Sequence, residues 1–175
     1  MRTLFVLASL CGILPAKTPF RVPPGFEISL FAGDAMTHDT WALTISQEGH
    51  VAVSGPGYIK ILTDLDGDGA ADRAETVCTR AQNPHGLLWM GSDLMSVQPQ
   101  GVFIHRDHDN DGFPEGDPEL FYTLPGGGGE HGPHGIRRGP DGWFYIACGN
   151  NTRIGRNHIT TTTSPVTEPS QGTIL

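Results

Sequence analysis

The chain has 175 residues, 37% of them hydrophobic and 17% charged, with 24 glycines and 14 prolines. That length supports one domain with its own core, and that apolar share excludes a disordered polypeptide. The formal net charge of −8 is local, because two short segments hold ten of the 19 acidic residues; this points to bound cations rather than a basic partner, and no basic stripe speaks for nucleic acid.

The N-terminus, MRTLFVLASLCGILPAK, carries Arg2 and then an apolar run from Leu4 to Leu14. The run is too short to span a bilayer, and Ala16 offers a small residue for cleavage. Residues 1–16 therefore read as a signal peptide and 17–175 as the exported part, which implies a secreted or periplasmic protein. Cys11 is a second, lipid-anchoring candidate that would add membrane association, although Leu10 is large where a small residue is expected. Cys78 and Cys148 make no disulfide framework and read as buried apolar residues. No CxxCH occurs, so this chain attaches no c-type haem.

Residues 26–31 (FEISLF) alternate and suit an outermost strand of another blade. Beyond them a unit repeats: polar turn, alternating strand, glycine turn, second strand, acidic loop. The acidic loops that begin at Asp64 and Asp107 lie 43 residues apart, and the turn glycines Gly91 and Gly139 lie 48 apart. A period of roughly 40–50 residues carrying about four strands is the signature of β-propeller blades. Strands are predicted over 41–45, 50–54, 58–63 and 75–79 in a first blade (39–80), and over 85–90, 93–98, 101–106 and 119–124 in a second (85–124). A third (134–175) holds strands at 134–138 and 143–148, an ill-defined TTTTS stretch, and GTIL. The fold class is all-β, an incomplete propeller of about three blades. Closed propellers need about 4–8, so the expectation is an N-terminal portion of a longer protein whose remaining blades are its partners.

The first acidic loop, DLDGDGAADRAE, places Asp64, Asp66 and Asp68 at alternate positions, then Asp72 and Glu75. It satisfies the D-x-D-x-D-G-x5-E pattern for a hard cation. The second offers Asp107, Asp109, Asp111 and Glu115 but has Pro118 where the last Glu belongs. Both loops also approximate D-x-D-x-D-G-x-x-D, as in integrin-like repeats, with Glu115 as the closing acid. Strands rather than helices enter each loop. Ca²⁺-binding turns with a structural role on the propeller periphery are expected; solvated acidic turns are the alternative.

The stretch GEHGPHGIRRGPDGWFYIACGN (129–150) sets His131 and His134 in a glycine-rich loop. They read as loop residues bonded to backbone, as axial substrate or cofactor groups, or, with His85, as a transition-metal site. His85 and His134 occupy equivalent positions in adjacent blades, and Trp41 fills a comparable place in the first. Trp89 and Trp143 read as packing residues.

GPDGWFYIACGN resembles the GPDG-x-[LF]-Y-[IV]-x-x-G-[DN] segment of soluble quinoprotein glucose and sorbosone dehydrogenases. The combination PPGFEISLFAG, DLDGDGAAD, PHGL and HGPHGIRRGPDGWFY is similar to the membrane-bound dehydrogenases of planctomycetes and their relatives, over roughly residues 23–151. The resemblance implies oxidation of a small sugar or alcohol, pyrroloquinoline quinone as cofactor and a c-type cytochrome as acceptor. His131, eight residues before Gly139, matches the catalytic base. His85, His134, Asn150 (in place of the family's aspartate) and Arg153, with Arg156 beside it, are the implied cofactor-side residues, and Glu130 precedes the base where a carboxylate can polarise it. The other class of function is a calcium-stabilised propeller that binds a ligand or carbohydrate without chemistry. Imidazoles gathered on the axis favour the enzyme.

Overall fold

A computed structural model describes residues 20–124, 126–127, 131–158 and 172–175. The expected signal peptide, Glu130 and the TTTTS stretch lie outside the described residues. Three antiparallel sheets form. The first is β1 (Ala42–Ile45), β2 (Val51–Gly55), β3 (Tyr58–Thr63) and β4 (Arg73–Cys78), in that spatial order. The second repeats the order with β5 (Gly86–Met90), β6 (Asp93–Gln98), β7 (Gly101–His105) and β8 (Glu119–Thr123). In the third, β10 (Phe144–Cys148) lies between β9 (Pro133–Arg138) and β11 (Thr173–Ile174). A single 3₁₀ turn, Arg156–His158, is the helical element among the described residues.

These are blades, and the expected all-β architecture of repeated sheets is what forms. The middle strands VAVSG and DLMSVQ are buried almost throughout, so both sheet faces are covered there. Pro56 and Pro99 open equivalent β2–β3 and β6–β7 turns 43 residues apart. A proline presets φ near −65° for such a turn, and Gly57 supplies the positive φ of +77° that follows.

One expected strand does not form. Residues 26–31 have no strand partner, and Phe26 and Leu30 are 72% and 69% exposed. From the end of that segment onward, Phe31, Ala32 and Met36 pack on blade one against Val51, Val53, Tyr58 and Leu62. The Phe31 carbonyl accepts from Ala71 N at 2.7 Å. The alternating Phe26, Ile28 and Leu30 are exposed, and the segment meets blade one at its end, where Phe31 packs against it.

Sheet stacking buries the core. Ala52, Ile59 and Ile61 of blade one meet Leu87 and Leu94 of blade two. On the other face of blade two, Met95, Val97, Val102 and Ile104 meet Ile136, Ile146 and Cys148 of blade three. Each such side chain, fully buried, contributes about 1.5–3 kcal/mol. The innermost strands β1, β5 and β9 pack side by side in that order. Because every blade begins on its inner strand and then runs antiparallel, chemistry is sorted by end. One end holds the starts of β1, β5 and β9 and the loop after β10. The opposite end holds the β1–β2 and β5–β6 turns and both acidic loops.

Blade two contains a buried polar chain. Ser96 Oγ accepts from Gln98 Nε2 at 2.9 Å and shares a 2.9 Å bond with His105 Nε2. His105 is 3% exposed, and burial pushes its imidazole down to about 4 from 6.5. It is therefore neutral when folded and protonates more readily when unfolded. Its contribution is fully present above pH 6.5 and is lost as pH falls toward 4, a change of about 3 kcal/mol. Urea denaturation at pH 7.5 and pH 4.5 should show that loss in the wild type and a smaller one in His105→Asn.

Candidate functional site

At the first end, the approach of β9 to β5 is set by Gly86. A side chain there would collide with the His134 carbonyl and lie 3.1 Å from Val97 Cγ2. Glycine lets the two inner strands close up, which brings the His134 backbone beside His85. His85 N donates to Val97 O at 3.0 Å and Trp41 N to Ser54 O at 2.8 Å, so both residues continue their ladders beyond the named strands. Their rings then stack, with centroids 4.6 Å apart and planes within 3°. Trp41, His85 and His134 thus occupy neighbouring inner-strand positions, half-buried or at the surface.

His131 lies in the turn before β9 and is exposed. Its carbonyl accepts from Asn151 N at 2.7 Å, and Gly149 packs directly on it, where a Cβ would collide. Its Nδ1 bonds Asn150 Oδ1 at 3.0 Å. An amide oxygen only accepts, so Nδ1 carries the proton and the lone pair sits on Nε2, the tautomer a general base needs. Sequence reasoning put Asn150 on the cofactor side; the β9–β10 hairpin makes it the partner of His131 across 19 residues. Hairpin pairing is the signal that could have found it. Arg153 stands exposed on the same loop.

Other expectations sort in the same way. Cys148 is buried, and burial pushes its thiol up to about 11, so it stays protonated. Trp89 packs against the seam between blades one and two, as a packing residue should. Trp143 does not: it is 61% exposed, because it precedes β10 and lies outside the last strand pair, Phe144 with Arg138. Among the described residues, the sets that bring three metal-ligating atoms within 4.8 Å of one another are acidic, and His85, His131 and His134 do not form one.

Those acidic sets are Asp64, Asp66 and Asp72 in the β3–β4 loop, and Asp107, Asp109 and Glu115 in the β7–β8 loop. The loops share most of their hydrogen bonds. The first Asp accepts from the glycine five residues on: Gly69 N to Asp64 Oδ2 and Gly112 N to Asp107 Oδ2, each at 2.9 Å. The last acid accepts from the second residue of the loop: Leu65 N to Asp72 at 2.8 Å and His108 N to Glu115 at 3.1 Å. Gly67 and Asn110 share the turn position of positive φ, +79° and +61°, which asparagine tolerates. The backbone N–H groups of Gly69 and then Gly67 hold the Asp64 carboxyl below the usual carboxylate value. Asp68 and Asp111 turn back onto Ala70 N and Phe113 N. Glu75 lies on β4, where it pairs with Arg73. The closing acid is therefore the ninth loop residue in both blades and not the twelfth. Three convergent carboxylates are hard oxygen donors, suited to a cation such as Ca²⁺.

The profile of a family described as "Domain of unknown function (DUF7133)" matches residues 15–168. No curated protein and no solved structure matches the chain.

Gly86→Ala should destabilise the protein by about 1–3 kcal/mol through overpacking at the β5–β9 contact. Urea denaturation measures the loss, and a near-UV spectrum should report a disturbed Trp41–His85 stack.

Proposed function

As the chain belongs to that family, whose description assigns no activity, we propose from the residues themselves that it acts as a propeller-type dehydrogenase on a sugar or alcohol. The observation that carries this reading is the His131–Asn150 pair, set at the end that also holds His134 and the Trp41–His85 stack. In the proposed reaction His131 Nε2 takes the hydroxyl proton of the substrate, and the carbinol carbon gives up its hydride. Asn150 keeps the imidazole in the tautomer that can accept.

Pyrroloquinoline quinone is the hydride acceptor that the resemblance suggests. The donor set suits one edge of such a planar polycarboxylate: Arg153 is an exposed guanidinium on the loop that carries Asn150, and the two would hold a carboxylate. When bound, the quinone supplies the two-electron sink, and a c-type cytochrome is the proposed next acceptor. We assign Ca²⁺ to the two acidic loops as a structural ion, since they lie at the end opposite His131. Export to the periplasm or beyond rests on the apolar N-terminal run. Among the described residues no helix is long and apolar enough to cross a membrane. A second reading, a calcium-stabilised binding module without chemistry, is favoured by the ninth-position closure of both loops, the spacing of integrin-like repeats.

With pyrroloquinoline quinone, Ca²⁺ and an artificial acceptor, a screen of sugars and alcohols should find turnover. His131→Ala should lower kcat by about 10²–10⁴-fold, and unchanged turnover rejects it as the base. Calorimetric titration with Ca²⁺ should resolve separate sites for the two loops. Asp64→Asn should abolish the first and Asp107→Asn the second, whereas Glu75→Gln should leave both.

A further inference from the structure

Each seam between blades joins two kinds of face. Blade two turns its near face, with Leu87 and Leu94, toward blade one, and its far face, with Met95 and Val97, toward blade three. Register identifies the same near-face positions in blade one. Leu43 pairs with Val53 and Ile45 with Val51, as Leu87 pairs with Ser96 and Trp89 with Leu94. Val51 and Val53 precede Pro56 by the same steps as Leu94 and Ser96 precede Pro99. Leu43 and Ile45 are therefore the counterparts of Leu87 and Trp89. Leu87 is 1% exposed under blade one, whereas Leu43 and Ile45 are 52% and 60% exposed. Phe31 and Met36 pack against Val51 and Val53 behind them but leave these two side chains open.

Blade three shows the complementary lack. Phe144, Ile146 and Cys148 face blade two. Alternation along β10 puts Tyr145 and Ala147 on the far face, and Ala147 pairs there with Ile174 of β11. Tyr145 is 44% exposed and Ile174 63%, although the far-face residues Met95 and Val97 of blade two are fully buried. The chain thus carries one open near face and one open far face, each apolar where its repeat is covered by a blade. Exposed apolar surface of that kind marks an association site.

We propose that two copies of this chain join head to tail, the near face of blade one in each stacking on the far face of blade three in the other. Both seams within the chain join a near face to a far face, so the pairing continues an interface the molecule already uses. Near face on near face would repeat neither seam. Three blades from each copy make a ring of six, within the about 4–8 at which propellers close. A heterologous contact that closes in this way leaves no face over and stops at two chains. The pairing does not depend on the dehydrogenase reading.

The test is sedimentation equilibrium of the full chain, which should give a species of two chains. Ile45→Lys spoils the near face and Ile174→Lys the far face, and each should weaken association at least about tenfold by placing a charge in the seam. Both side chains are more than half exposed, so the fold of the single chain should survive, which circular dichroism checks. Mixing the two variants should restore a pair, because one of its two seams then joins an intact near face to an intact far face. The proposal is overturned if the wild type sediments as a single chain or as open-ended assemblies. It is equally overturned if either variant associates like the wild type, or if the mixture pairs no better than its components.

Discussion

The close approach of one blade's inner strand to the next is the constraint from which the rest of this structure follows. At β5 and β9 it depends on a missing side chain, since any Cβ at Gly86 would collide with the His134 carbonyl. Once the inner strands are this near, the sheets behind them stack face to face. Met95, Val97 and Val102 can then bury against Ile136 and Ile146, and Ala52 and Ile61 against Leu87 and Leu94. Hydrophobic burial supplies the free energy, and backbone proximity determines which faces meet.

Stacking by inner strands also explains how the molecule sorts its chemistry. Every blade starts on the axis, so residues just before or at the start of β1, β5 and β9 converge at one end whatever their separation in the chain. Trp41 and His85 stack there although 44 residues divide them. The acidic loops join the two outermost strands of their blades and lie at the other end, toward the rim. His85, His131 and His134 and the two acidic loops are thereby kept at opposite ends.

Polar groups inside the stack fall into two kinds. The Ser96–Gln98–His105 chain is braced within one blade, and its hydrogen bonds offset the cost of burying it. The Trp89 Nε1 donor sits at a seam between blades and has no partner among the described residues. Seams are where such donors arise, because two surfaces shaped mainly by apolar packing rarely match in polar groups as well. They are also where ligand cavities tend to open.

Much of this architecture was legible in the residues alone. The period of the acidic loops, the paired Pro56 and Pro99 turns and the alternation of YIKILT and DLMSVQ suffice for repeated four-stranded sheets, because turn chemistry and side-chain alternation are local properties. The acidic ligands were equally visible, yet the choice between Glu75 and Asp72 as the closing acid was not. Two patterns fit the same letters, and only the path of the chain into β4 sends Glu75 to Arg73 and keeps Asp72 in the loop. The pairing of His131 with Asn150, the stack of Trp41 on His85 and the stray course of residues 26–31 were likewise decided by tertiary structure. Each depends on contacts between residues distant in sequence, whether across a hairpin or between stacked sheets, and those contacts are a property of the assembled blades rather than of any one segment.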